Sequence, residues 1–501
     1  MKIILERGAL AALDAGLVAA PVASVEQAVE LGQVLGGYPR DALRRLAREE
    51  GFRAGEGQRL ELTAPGRRGG GIRRLALIGL RAEALPPAVA LCRAAAEAAR
   101  WARAHGGRGW ALWLPALPGL EAPTAVRQAA LGALAGAYDW SGVHGPKRGP
   151  ARQVACRLRT DAPATPSLAR ALAEARVAGR ALELARDLVN APPNLLTPRA
   201  FSSRAAALAG EHGLEVRVWD RRRLLRERCH LVLAVGRGSA EQPCLIRAVH
   251  RPRRARPRGR LVLVGKGLTF DAGGLALKSQ PGQLDMKADM AGAAVALAAT
   301  LAAAELDLPW ELHALLPVAE NMPDGKAFRT GDVLTSRDGR TVEVHHPDAE
   351  GRLLLADALS LARELAPDLI VDLATLTGAC KAALGPTTAG VFSNHDGWCG
   401  RLLSAAEACG EGLWRLPLEP SLRGSLRSDS ADLRNAGARF GGAIAAALFL
   451  EAFVERTPWI HVDMAGPAFL EREHGLHPKG GTGFGLLSLL ELMRAPQAPA
   501  A

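Results

Sequence analysis

The sequence predicts an α/β protein with a smaller N-terminal α/β domain and a C-terminal domain whose mixed, mostly parallel sheet is covered by helices. Three observations predict it. Short, near-continuously apolar runs such as "RLVLVGKG" and "PDLIVDLATL" alternate with longer alanine-rich segments, the pattern of strands buried on both faces. Glycines, lysine and carboxylates gather where several of those runs end. A chain of 501 residues also exceeds one ordinary core and points to two or more domains.

The elements follow in chain order. "MKIILERGALAALDAGLVAA" carries Glu6 and Asp14 and makes a poor signal peptide, so the protein is expected in the cytoplasm. No apolar run approaches the ~20 residues that a membrane span needs, and no membrane partner is expected. "RRLALIGL" and "RGWALWLP" predict buried strands, with a helix over 88–103 between them. Nothing in this region clusters carboxylates, histidines or cysteines, which suits a packing or assembly domain. The polar, proline-containing stretch Arg148 to Pro166 marks a boundary and divides the chain into domains 1–160 and 161–501.

A long helical pattern then runs from Ser167 to Asn190 and stops at "APPNLLTP", where Pro192 and Pro193 remove backbone donors. "EVRVW", "HLVLAVG", "CLIRAVH", "RLVLVGKG", "ELHALLPVAE", "PDLIVDLATL" and "WIHVDMAG" predict strands, and 291–306 and 353–365 predict helices. In sheets of this kind ligands bind beyond the carboxyl ends of the strands.

Composition excludes several function classes. The seven cysteines are scattered and form no CxxC pair, against both a disulfide framework and a zinc ribbon. The net charge is +12, and Arg251 to Arg260 places six arginines in ten residues. Such a run can neutralise phosphates, but it lacks aromatics to stack bases and lies between two apolar runs, which favours an exposed loop over a nucleic-acid contact.

Three strand ends carry the chemistry: "LVLVGKGLTFDAGGLALKSQPGQLDMKADMAG", "HHPDAEGR" and "VDLATLTGA". No G-x-x-x-x-G-K-[ST] is present, and Gly265 and Gly267 lack a third glycine in register, so a nucleotide site is disfavoured. If the ends converge, Asp271, Asp289, Asp348 and Glu350 put four negative charges in one pocket. Such carboxylates must take up protons or be neutralised by cations. Lys278 and Arg352 would offset two charges, whereas two divalent ions would balance all four, as in two-metal hydrolytic sites. Lys266 could join as a ligand only with a neutral amine. Taken singly, Asp289 and Asp348 also suit helix caps. His345 and His346 read as strand-end residues beside the ligands, and His461 as a hydrogen-bonded core histidine.

At this point the residues resemble a known family. "VGKGLTFDAGGLALK", "MKADMAG", "DAEGRLLLADAL" and "DLATLTGA" are similar to the signatures of the leucyl aminopeptidases, the cytosol aminopeptidase family of dinuclear metallopeptidases. The likeness continues in "ARDLVNAPPNLLTP", "SDSADLRN", "HVDMAGPAF" and "GGTGFG", and covers the chain from about Ala185 onward. It implies that 161–501 is a catalytic domain and 1–160 a non-catalytic one. It also implies an exopeptidase that removes leucine and other N-terminal residues from peptides with a free N-terminus, using a water activated by two metals. By resemblance, one ion would be held by Lys266, Asp271, Asp289 and Glu350, and the other by Asp271, Asp348 and Glu350. Lys278 would polarise the scissile carbonyl, and Arg352 would hold a bicarbonate acting as general base. Backbone groups around Thr375, Leu376 and Gly378 would position the peptide, and Met286 would line the side-chain pocket. Zinc is the default metal, with manganese, magnesium or cobalt as alternatives. A homohexamer is implied.

Two departures from the family pattern stand out. His346-Pro347 occupies the place of the usual Asn-Thr before Asp-Ala-Glu-Gly-Arg, and Ala291 stands where a glycine is common. Neither removes a ligand. The competing reading is an inactive or moonlighting scaffold that binds nucleic acid through the basic loop.

Overall fold

A computed structural model describes residues 1–8, 15–65, 72–81, 85–106, 109–117, 119–140, 142–143, 155–253, 256–437 and 439–495. Asp14, the stretch 148–154 of the expected boundary, and Arg254 lie outside the described residues. The chain divides into two compact units, Met1–Arg180 with Glu473–Pro478, and Ala181–Arg472 with Lys479–Ala501. The division falls inside one long helix, Pro166–Asn190.

The first unit holds a sheet of six strands: β1 (Lys2–Arg7), β2 (Leu17–Val22), β3 (Arg59–Pro65), β4 (Ile72–Gly79), β5 (Gly109–Trp113) and β6 (Ala155–Thr160). Their order is β1-β6-β5-β2-β4-β3, with only the β3–β4 pair antiparallel. Helix Pro87–Ala104 packs against helix Ala122–Gly136. Val18, Ala20 and Val22 alternate inward from β2 and meet Leu31 and Leu35 of helix Val25–Gly36.

The second unit is organised by a nine-stranded sheet. Its strands are β7 (Glu215–Trp219), β8 (Cys244–His250), β9 (Arg260–Gly265), β10 (Gly267–Asp271) and β11 (Glu311–Asn321). After two short strands outside it, β12 (Val333–Thr335) and β13 (Thr341–Glu343), it continues with β14 (Leu369–Ala374), β15 (Thr388–Ser393) and β16 (Gly412–Arg415). The short β17 (Leu433–Arg434) joins β13, and β18 (Trp459–Asp463) returns to the main sheet. The order is β16-β15-β18-β14-β9-β11-β8-β7, with β10 beside β11. The strands β10, β11, β9, β14 and β18 are mutually parallel, so their carboxyl ends share one edge of the sheet.

Helices cover both faces. Val262, Val264, Ile370 and Trp459 pack with helices Gly351–Glu364 and Gly442–Glu451, while their strand neighbours Leu261 and Leu263 face the other way. Helix Ala291–Glu305 is buried from Ala291 to Ala304, which explains why it is apolar on every side. The stretch Gln280–Glu305 is therefore long and apolar enough on average to match a membrane span, although Asp285, Lys287 and Asp289 interrupt its apolar run. Its most apolar 18-residue window is 94% buried inside the protein, the other environment that selects an all-apolar helix.

One expected strand is a helix. "HLVLAVG" forms helix His230–Val235, and Asp357 Oδ2 accepts from the N–H groups of Leu231 (2.9 Å) and Val232 (3.1 Å). A six-residue apolar run fits either element by periodicity, and here a carboxylate from a neighbouring helix satisfies the free N–H groups of a helix start. The cysteines follow expectation: Cys156, Cys229, Cys244, Cys380 and Cys399 are buried free thiols, Cys92 is buried and Cys409 is half-buried.

Candidate metal centre

Every element of the site sits at the shared edge of parallel strand ends. Lys266 links β9 to β10, Asp271 ends β10, Asn321 ends β11, Thr375 follows β14 and Asp463 ends β18. The main chain leaving β10 reverses through Gly273 (φ 88) and Gly274 (φ 58), left-handed conformations that suit glycine. The reversal is closed by Lys278 N–H donating to the Ala272 carbonyl at 2.9 Å, and it carries Lys278 back over Asp271. Asp348 and Glu350 arrive from the loop before helix Gly351–Glu364.

The four carboxylates converge as the sequence predicts. One oxygen each from Asp271, Asp348 and Glu350 lie within 4.8 Å of one another, the spacing of a metal-ligand group. Asp289 adjoins them through Lys266, whose Nζ is 2.8 Å from Asp289 Oδ2 and 3.4 Å from Glu350 Oε1. Lys278 Nζ is 2.7 Å from Asp271 Oδ2 and pairs also with Asp348. The cap reading fails for both aspartates. Helix Ala291–Glu305 starts after Met290 with no side-chain cap, and helix Gly351–Glu364 starts after Glu350. Asp289 Oδ1 instead accepts from Thr375 Oγ1 at 2.6 Å.

Amides hold the carboxylates in place. Asn321 Nδ2 donates to Asp271 Oδ1 (2.9 Å) and to the Pro347 carbonyl (3.2 Å), and reaches Glu350 Oε2 at 3.4 Å. Asn435 grips the other side of the ligand loop. Its Oδ1 accepts from the His345 and His346 N–H groups, and its Nδ2 donates to the carbonyls of His346 and Ala349. Asp463 accepts from the Leu376 N–H at 3.2 Å and from Thr377 Oγ1 at 2.6 Å, so it shapes the turn after β14. The sequence supplied no role for Asn321 or Asp463. A polar residue at the last position of a buried strand on the edge carrying Lys266 and Asp271 is the signal that would have found both.

Electrostatics show a cluster short of positive charge. Burial, then the charge of Asp271, pushes Glu350 up to about 8 against the pull of Lys266. Burial also pushes Asp289 up to about 6, with Lys266 opposing, and raises Asp348. Burial alone would lower Lys266, but Asp289, Glu350 and Asp271 outweigh it and raise its pKa; Lys278 is raised in the same way, chiefly by Asp271. Two ammonium groups thus stand against four carboxylates, and Asp289, Asp348 and Glu350 hold protons more tightly to compensate. Asp289 Oδ2 is buried and faces the Lys266 ammonium at 2.8 Å. Hard oxygen donors within 4.8 Å of one another and excess negative charge fit divalent metal ions.

The remaining expected residues fall around this centre. Arg352 is buried on the first turn of helix Gly351–Glu364, its Nε has no partner among the described residues, and burial lowers its pKa to about 10 despite Glu350 and Asp463. The Leu376 N–H is committed to Asp463 and the Thr375 carbonyl accepts from Lys266 Nζ at 3.2 Å, while Gly378 is exposed at the start of helix Gly378–Leu384. Met286 is half-buried in the short turn Met286–Ala288. His345 and His346 are exposed at the rim. His461 is a buried core histidine, with Nδ1 2.6 Å from Asp372 Oδ1. Gly351 approaches Lys266 so closely that a Cβ there would lie 2.6 Å from Nζ. The basic loop is tied down at both ends: Arg251 pairs with Glu215 (3.1 Å) and Arg260 with Glu311 (3.2 Å).

Known proteins bear on the centre directly. The model of the cytosol aminopeptidase family's catalytic domain matches residues 183–490, and that of its N-terminal domain matches 23–145. A probable cytosol aminopeptidase of Geobacter sp. (strain M21) is 43% identical over 423 residues, covering 84% of this chain and 85% of that protein. One from Solibacter usitatus is 39% identical over 500 residues, covering 98% and 99%. Among solved structures, the bottromycin maturation enzyme BotP in complex with Mn aligns with TM-score 0.83 at 38% identity, covering 96% of this chain and 99% of that one. A mutant of tomato leucine aminopeptidase aligns with TM-score 0.88 at 32% identity, covering 98% and 96%.

Proposed function

This chain belongs to the cytosol aminopeptidase family and is a metal-dependent aminopeptidase, and from that premise we propose how its own residues divide the work. Lys266, Asp271, Asp289 and Glu350 would hold one divalent ion, and Asp271, Asp348 and Glu350 a second. The observation that carries this is the convergence of four carboxylates and two lysines at one edge of parallel strand ends. Zinc or manganese suits the all-oxygen donors with one amine, and the structural relative solved with Mn supports a divalent cation. When bound, the ions supply Lewis acidity and lower the pKa of a water between them.

The protein's groups do the rest. Lys278, on its glycine-hinged loop, donates to the scissile carbonyl oxygen and stabilises the charge that develops there. Arg352, buried on the first turn of its helix, would hold a bicarbonate through its guanidinium, and that group would supply a general base. The N–H of Leu376 is spent on Asp463, so Leu376 offers its carbonyl to the peptide backbone, and Gly378, exposed at its helix start, offers its N–H as a donor. Met286 contributes an adaptable apolar wall for the first side chain. The first unit is non-catalytic, and the protein acts in the cytoplasm as a homohexamer on peptides with a free α-amine.

The test is hydrolysis of a leucyl amide reporter by the full chain. Chelation should abolish release of leucine, Mn²⁺ or Zn²⁺ should restore it, and the N-acetylated reporter should stay intact. Full activity of D348A with metal present would overturn the ligand assignment.

A further inference from the structure

The departure from the family pattern at His346-Pro347 turns out to be one built device. The Ala349 N–H donates to the His346 carbonyl at 3.1 Å, closing a four-residue turn in which Pro347 takes the second position and Asp348 the third. Proline is favoured at that second position because its ring presets the backbone angle. Within the same turn the Asp348 N–H donates to His346 Nδ1 at 3.1 Å. The pattern, a side-chain acceptor taking the N–H two residues on, is that of an Asx turn. An asparagine makes it with Oδ1, an atom bonded to Cγ; in histidine the atom bonded to Cγ in the corresponding place is Nδ1.

Resting on the metal-centre reading above, we propose that His346 is a positioning residue for Asp348, its Nδ1 standing in for the amide oxygen of the family's usual asparagine. The turn is then clamped on both sides. Asn435 holds the N–H and carbonyl of His346, and Asn321 holds the carbonyl of Pro347 while also donating to Asp271. With its carbonyl and N–H fixed by neighbours and its ring holding Asp348, His346 leaves the ligand loop little freedom. The ring is exposed, so packing does not explain it. Its neighbour His345 is also exposed and bonds to Asn435 through its backbone N–H, which makes it a matched control.

The experiment is calorimetric titration of Mn²⁺ into the chelator-stripped full chain. H346L, which keeps bulk but loses the acceptor, should bind about 10- to 100-fold more weakly, the usual cost of removing a group that orients a metal ligand. H346N should restore affinity to within about threefold of the starting protein, and H345L should titrate unchanged. Wild-type affinity in H346L overturns the proposal, and so does failure of H346N to rescue a weakened H346L. D348A separates the two levels of inference: if it too binds Mn²⁺ normally, the metal-centre reading fails, whatever H346L does.

Discussion

Asn321 and Asp271 are register partners at the ends of β11 and β10, and the Asn321 side-chain amide donates across that pairing to Asp271 Oδ1 at 2.9 Å. The same nitrogen reaches the Pro347 carbonyl and Glu350 Oε2, so one NH₂ group ties two strand ends to the ligand loop. Asn321→Ala should therefore weaken Mn²⁺ binding by about 10- to 100-fold, read by calorimetry on the chelator-stripped protein. Unchanged affinity would show that the carboxylates hold position without it.

Lys278 has a different expected signature. It bridges Asp271 and Asp348, and is proposed to face the scissile carbonyl when ions neutralise those groups. Lys278→Met should lower kcat by about 10²- to 10³-fold, the scale of losing one oxyanion donor. Metal stoichiometry should persist. A mutant with normal kcat and raised KM would instead assign Lys278 to ground-state binding.

The carboxylates make the metal-free protein pH-sensitive in a definite direction. Glu350 is raised to about 8 and Asp289 to about 6, so the folded state binds these protons more tightly than the unfolded chain. The stability they contribute is complete below their ordinary values near 4 and is lost as pH rises through about 6 and about 8. Melting temperature in excess chelator should fall across that window. Added Mn²⁺ should flatten or reverse the trend, because ions compete with protons for the same oxygens and for the Lys266 amine. A flat chelated profile would count against the cluster as described.

Asp357 tests the frame behind the site. It is fully buried and accepts from the N–H groups of Leu231, Val232 and Arg337. Asp357→Ala strands three donors and should destabilise the protein by about 3 kcal/mol or more, seen as a lower urea midpoint at unchanged slope.

Much of the site is legible in the sequence, for a physical reason. Four carboxylates and two lysines near glycines at strand ends make a charge problem visible in one dimension, and Asp271, Asp289, Asp348 and Glu350 do converge. The apparent helix caps were ambiguous, since aspartate before a helix reads the same whether it bonds its own backbone or, like Asp289, a threonine on another strand end. Asn321 was hidden because an amide carries no net charge and its partners lie in segments far along the chain. The run "HLVLAVG" was misread because burial on all sides erases the periodicity that separates helix from strand.

The missing side chain at Gly351 has a thermodynamic consequence for Lys266. The backbone of the next helix presses against its methylenes, and three acceptors surround its amine, so this lysine is held from several sides in the folded protein. A free lysine surrenders roughly 2 kcal/mol of side-chain entropy when it is fixed. Here that loss is incurred on folding, so an arriving ion meets an amine already immobilised. Gly351→Ala would push the amine aside and return that freedom, converting a preorganised donor into one that each ion must order for itself.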